Sequence, residues 1–199
     1  MRRPLTTCAV GSLLTLLPFA GHTQDCPTAQ TAPRGFVVER GDQQKTEVAI
    51  GEGDVVHTTM RYAGRTQLET DLFAGLFSLS RLDRGRRSTY KPLTDLKTLF
   101  PLRVGQKALA LFDYTSGDKT VPMTILLLVK TSEPVTIGQC TYRVLKVEHN
   151  EARGEGSAPR YVYTDYYSPD LKLVLMKEFR EPDGQSTFVK YDRIYTIAR

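Results

Sequence analysis

From Lys107 onward, apolar and polar positions fall into short extended runs separated by turn residues. The runs cover 107–114, 120–130, 140–149, 160–167, 172–179 and 186–197. Each is rich in Val, Leu, Ile, Tyr, Phe and Thr, side chains that suit a pleated, half-buried surface. Between them stand Ser116-Gly117-Asp118, Ser132-Glu133-Pro134, Asn150 to Pro159, Ser168-Pro169-Asp170 and Pro182-Asp183-Gly184. Joints this short cannot carry parallel crossovers, so neighbouring strands are expected to run antiparallel, as a meander.

Upstream the pattern is similar. Phe36 to Arg40 reads as a short strand, and Thr46 to Ile50 and Val55 to Tyr62 flank the hairpin signal Gly51-Glu52-Gly53-Asp54. Thr66 to Leu82 is ambiguous, because Leu68, Leu72 and Leu76 fit a helix at spacing four. Yet Leu68, Thr70 and Leu72 also alternate with Gln67, Glu69 and Asp71, as a strand with one wet face does. We read this stretch as strand, turning near Ala74-Gly75 and again at Asp83-Arg84-Gly85. Thr94-Asp95 can cap a short helix near 94–100, Leu96 to Phe100, ended by Pro101.

Two strands, Ile125 to Val129 (ILLLV) and Leu173 to Met176 (LVLM), are apolar on both faces. A sheet with one solvated face would alternate throughout, so the second face needs a cover. The helix and its loop, the N-terminal strands, a ligand or a partner are the candidates. The fold class is therefore mainly β: an antiparallel meander of about 9–11 strands forming an up-and-down barrel or a half-open barrel.

Three stretches carry a resemblance. They are Leu99-Phe100-Pro101-Leu102-Arg103-Val104-Gly105, then Val135-Thr136-Ile137-Gly138 leading into Tyr142-Arg143-Val144, then Tyr167-Ser168-Pro169-Asp170-Leu171 with Val174. With these motifs, roughly Phe36 to Ile194 resembles a family of exported bacterial β-rich proteins of unknown function. The chain departs from that pattern at Lys172, where glycine is common, at Tyr166-Tyr167, where tryptophan often stands, and at Cys140, often an aromatic. The resemblance implies a β-fold of the cell envelope and supplies no reaction.

Composition changes the picture mainly at the N-terminus. Met1-Arg2-Arg3 followed by the apolar run Cys8 to Ala20 reads as a signal peptide over 1–23, too short for a membrane span of about 20 apolar residues. Residues 24–35 then read as a linker and 36–199 as a single β domain, with no transmembrane segment once the signal is removed. That cleavage takes two arginines from a net charge of +5 and leaves +3, with two cysteines, Cys26 and Cys140. In an oxidising compartment an even count favours a disulfide between them. The expected location is the bacterial periplasm or outside the cell.

Candidate chemistry is sparse. Arg81, Arg84, Arg86, Arg87, Lys91, Lys97, Arg103 and Lys107 face only Asp83 and Asp95 in sequence, so this segment carries +6. If they share a face, Arg81, Arg84, Arg86, Arg87 and Lys91 form a basic patch for phosphate head groups or an acidic partner. Tyr161, Tyr163 and Tyr167 fall on one face of their strand with Asp165, and Tyr142 can join them, as a rim for a ligand. For a hydrolase, His149 would have to meet Asp165. The hairpin near 150–159 is expected to set Tyr161 or Arg160 opposite His149, leaving Asp165 about 15 Å further along, beyond hydrogen-bond reach. No nucleophile elbow, zinc motif, phosphate loop or dinucleotide fingerprint is present in the sequence. Accordingly no cofactor, metal or nucleic-acid partner is expected. The leading expectation is a non-enzymatic exported protein that binds a lipid or other apolar small molecule in a curved sheet. An interaction module contacting an envelope protein comes second, and a hydrolase third.

Overall fold

The computed structural model describes residues 25–197 apart from 155, 157–160 and 182. The expected signal peptide at 1–23 lies outside the described residues. Six strands make the first half: β1 (Phe36–Arg40), β2 (Gln44–Ile50), β3 (Val55–Tyr62), β4 (Arg65–Phe73), β5 (Phe77–Asp83) and β6 (Arg86–Pro92). A 3₁₀ turn, Leu96–Leu99, then leads to β7 (Lys107–Ser116), β8 (Lys119–Ile137), β9 (Cys140–Arg153), β10 (Tyr161–Ser168) and β11 (Leu173–Arg180). The last two strands are β12 (Ser186–Lys190) and β13 (Arg193–Thr196).

All thirteen strands among the described residues belong to one antiparallel sheet in which β1 to β12 pair in sequence order and β13 adds beside β1. The meander is as expected, with more strands than the nine to eleven read from the sequence. One reason is that 186–197 is broken at Tyr191-Asp192 into strands at opposite edges of the sheet. Only two residues separate them, so the edges stand within about 11 Å of each other, three Cα–Cα steps of about 3.8 Å. An open sheet whose edges must come this close has to roll into a half-open barrel.

Alternation sets the inner face. Along β7, Ala108, Ala110 and Phe112 are buried while Leu109 and Leu111 are exposed. Along β8, Met123, Ile125, Leu127 and Val129 are buried and Leu126 and Leu128 are half-buried. The second apolar face of ILLLV thus points outward beside Leu109, its neighbour opposite Leu126. Among the described residues no wall encloses it, contrary to expectation, and Leu126 and Leu128 stay half-buried. The 66–82 stretch is two strands turning at Ala74-Gly75, as read. The short helix is present as the 3₁₀ turn, where the Asp95 carboxylate accepts from Lys97 N–H at 3.1 Å.

Ser132-Glu133-Pro134 is no turn. Strand β8 continues through it, paired with Val144, Leu145 and Arg143 of β9, and reverses instead at Gly138-Gln139. Beyond Leu128 the strand has lost its β7 partner, and on such an edge the missing proline N–H is tolerated. A bulge between Val129 and Thr131 marks where the core divides. Before it, β8 packs into a cluster with Phe73, Phe77 and Phe112; beyond it, Val135 and Ile137 pack with Phe36, Val38 and Leu175.

Residues 25–35, read as linker, are fastened to the sheet. Ala32 is fully buried in the second cluster, Thr196 N–H donates to Asp25 O at 3.1 Å, and Cys26 is bonded to Cys140. The motif residues are also fastenings. Tyr167 hydroxyl donates to Ala74 O at 2.8 Å, and a Cβ on Gly75 would stand 1.8 Å from Lys172 O, so the two turns interlock. Lys172 itself holds φ +47°, the left-handed region that favours glycine, and its ammonium pairs with Asp54.

Candidate binding cleft

The hollow of the sheet contains a cleft of about 440 Å³ reaching from β2 to β11. One wall, from β2 to β4, sets the apolar Met60, Leu68 and Leu72 among Gln44, Thr46, Thr58 and Thr70. The other wall comes from β9 to β11, where His149, Tyr163, Asp165, Lys177 and Phe179 face inward. Their placement follows from register. Tyr163 is opposite both His149 and Phe179, and Asp165 is opposite Lys177. A period of two then puts all five on one face.

This corrects the expected separation of His149 and Asp165. Strand β9 runs on to Arg153, so Tyr161 pairs with Glu151 and not with His149. Asp165 becomes a diagonal neighbour, with its Oδ2 3.3 Å from His149 Nδ1, and both residues are buried, at 4% and 2% side-chain exposure. The contact is poorly aligned, and neither ring nitrogen has a hydrogen-bond partner among the described residues. Lys177 Nζ donates to Asp165 Oδ1 at 2.5 Å and sits 4.1 Å from the Tyr163 ring centroid. The Tyr163 ring in turn stacks on His149 at 4.6 Å. Burial alone would raise the Asp165 pKa, but Lys177 and His149 outweigh it and hold the carboxyl below its ordinary value. Burial pushes the Tyr163 phenol well up.

A second histidine–aspartate pair lies on the outer face. His57 Nδ1 is 2.6 Å from Asp71 Oδ1, and Ser80 Oγ donates to Asp71 Oδ2 at 2.6 Å. The carboxylate therefore stands between hydroxyl and imidazole. A nucleophilic serine needs the imidazole next to it, so His57 is not placed to take the Ser80 proton.

The four tyrosines named from the sequence are dispersed. Tyr163 lines the cleft, while Tyr161 is exposed, with the Arg153 guanidinium 5.7 Å from its ring. Tyr167 is buried on Ala74, and Tyr142 is buried in the other cluster, its hydroxyl without a partner among the described residues and its pKa pushed by burial up to about 12. The basic patch is divided too. Arg81 and Arg86 share the face of Ser88 and Tyr90, since Arg81 is opposite Ser88 in the register of β5 and β6. Arg87 and Lys91, one residue out of phase, face the other way. Arg84 sits on the turn with φ +47° and pairs with Asp83 at 3.1 Å. The expected Cys26–Cys140 disulfide is present.

Lys177 and Arg153 went unread as cleft residues. A cross-strand Asp165–Lys177 pair was the available signal, since opposite charges favour facing positions across a tight turn. Arg153 was hidden inside the supposed loop. Among the described residues no group of three or more His, Cys, Asp or Glu side chains could hold a metal ion.

The protein is a mainly β, up-and-down meander whose one open sheet rolls around a cleft lined by apolar and polar side chains. No protein-family model matches the chain, and no curated protein matches it. Among solved structures, the hypothetical lipoprotein YmcC from Escherichia coli (K12) is similar at 9% identity and a TM-score of 0.48, over 78% of this chain and 86% of that one. Among the described residues no helix is long and apolar enough to cross a membrane.

Proposed function

We propose that this is an exported, non-catalytic protein that holds one amphipathic small molecule, lipid-like in character, in the hollow of its sheet. The observation that carries the reading is the two-sided cleft: Met60, Leu68 and Leu72 among uncharged Thr and Gln side chains on one wall, and the charged or ionisable His149, Asp165 and Lys177 on the other. Its volume falls within the range of about 300–1,000 Å³ usual for small-molecule sites, and convergent polar groups on an apolar lining are their common form. The disulfide supports an oxidising, extracytoplasmic compartment.

Native mass spectrometry of protein isolated from its own cell envelope tests this directly. A bound adduct that disappears in Leu72→Trp, a variant that fills the cleft, is the expected result. A bare mass together with failure to bind the fluorescent probe 1-anilinonaphthalene-8-sulfonate would overturn it.

A second reading, a contact module for another envelope protein, has its own observation. Leu93, Leu109 and Leu111 are exposed on or next to the outward face of β7, beside half-buried Leu126 and Leu128. Leu109→Glu with Leu111→Glu, compared by cross-linking in intact cells, would lose a protein adduct on this reading and keep the small-molecule one.

A further inference from the structure

Next to the cleft is a second hollow of about 300 Å³, and the two share Arg81, Tyr90 and Arg153 in their linings. It is built on one face of three neighbouring strands. Arg81 of β5 is opposite Ser88 of β6, which is opposite Ser116 of β7; Asp83 is opposite Arg86, and Tyr90 is opposite Tyr114. A row of guanidinium and hydroxyl groups therefore follows from register and the period of two.

The charges do not cancel. Asp83 accepts from Arg81 at 2.9 Å and from Arg84 at 3.1 Å, and Arg86 has no acidic hydrogen-bond partner among the described residues. Two lining arginines, Arg81 and Arg86, thus face one aspartate that Arg84 also engages from the turn, while Arg153 is matched by Glu151 at 2.6 Å. The Arg153 guanidinium is held over the Tyr114 ring at 4.3 Å, which fixes its plane. Ser88 Oγ lies 3.4 Å from Tyr114 hydroxyl and donates to Ser116 Oγ at 3.3 Å, distances long enough for a better acceptor to replace. Guanidinium forks with hydroxyl donors around a small hollow suit an oxyanion.

We propose that this hollow is the head-group site of the ligand, and that it takes an oxyanion head (phosphate, sulfate or carboxylate) whose tail lies in the adjoining cleft. The inference rests on the small-molecule reading above and narrows it to anionic amphiphiles. Arg81, Arg86 and Arg153 grip the head, Ser88, Ser116 and Tyr114 complete its hydrogen bonds, and Arg81 and Arg153 stand where head and tail meet.

Three probes, used below micellar concentration, test the site by calorimetry on the intact disulfide-bonded protein: dodecyl phosphate, dodecanol and inorganic phosphate. Dodecyl phosphate is expected to bind about tenfold or more tightly than dodecanol, the contribution of a charge-assisted contact. Arg81→Gln with Arg86→Gln should remove most of the preference for dodecyl phosphate, and Arg86→Gln alone, which lines the hollow and not the cleft, should weaken dodecyl phosphate in part and leave dodecanol binding unchanged, which also shows that the variant is folded. Arg84→Gln, on the turn, should change neither. Equal affinity for dodecyl phosphate and dodecanol would overturn the head-group site while leaving the cleft reading intact. Failure of both to bind would overturn the cleft reading and this one together. Inorganic phosphate binding as tightly as dodecyl phosphate, and lost in the same double variant, would overturn the amphiphile and leave a free oxyanion as the ligand.

Discussion

The inner and outer faces of this sheet each carry a histidine beside an aspartate on a neighbouring strand. His57 and Asp71 are outside, with side chains 55% and 42% exposed; His149 and Asp165 are inside, at 4% and 2%. The outer pair has the better geometry, at 2.6 Å against 3.3 Å. Geometry alone would thus rank them in the wrong order of consequence. Water screens the outer pair and solvates either partner if the other is removed, so it contributes little. The inner aspartate has no such recourse and depends on Lys177, which approaches from β11.

The largest expected effect comes from opening the Cys26–Cys140 loop, whose 114-residue separation places its contribution at about 4–5 kcal/mol on the chain-entropy model. Cys26→Ala with Cys140→Ala, measured by urea unfolding, should lower stability by that order. Because the disulfide is not part of either histidine pair, it should shift both backgrounds equally and leave the difference between the pairs intact.

Asp165→Asn comes next, with an expected loss of about 1.5–3 kcal/mol, the range for a hydrogen bond to a charged group, because the Lys177 side chain is 36% exposed and can turn to water. Its pH dependence has a definite sign. The folded carboxyl titrates below its ordinary value of 3.8, so its contribution is complete above that pH and is lost as pH falls through the folded value. The gap between wild type and Asp165→Asn should accordingly close in acid below 3.8. A gap that stays constant there would show that the aspartate contributes by shape and not by charge.

His149→Phe is smaller and sharper. Both ring nitrogens lack hydrogen-bond partners among the described residues, while the ring stacks on Tyr163. A phenyl group keeps the stack and removes the unsatisfied atoms, so stability should change by less than about 1 kcal/mol in either direction. A large loss would mean that the Asp165 contact is stronger than its distance suggests. The smallest effect belongs to Asp71→Asn, expected within about 1 kcal/mol by the same unfolding measurement and reduced further in salt. If it matched Asp165→Asn, burial would not be what separates the two pairs.

The candidate site was legible in parts. His149, Asp165, Tyr163 and Arg81 were each visible as residues, but their convergence depended on where β9 ends. The stretch from Asn150 to Pro159 carries turn signals at Asn150, Gly154, Gly156, Ser157 and Pro159, and strand β9 uses Asn150 to Arg153 before turning. That difference moved Tyr163 opposite His149 and brought Asp165 within contact. The basic segment suffered a related error of phase. Arg86 and Arg87 are adjacent in sequence and necessarily on opposite faces of a strand, so charge counted along the chain did not accumulate on one surface.

By itself the sequence determined what is local: antiparallel strands from alternation and short turns, the strand character of 66–82, the Asp95 cap, and the pairing of two cysteines. Each of these depends on neighbours a few residues apart, or on a count. Tertiary structure alone decided the bulge positions, the rolling of the sheet until Lys190 and Arg193 bring its edges together, and which polar side chains share the hollow. Those outcomes depend on register across long hairpins, where a slip of one residue turns every side chain to the opposite face at little cost in local propensity.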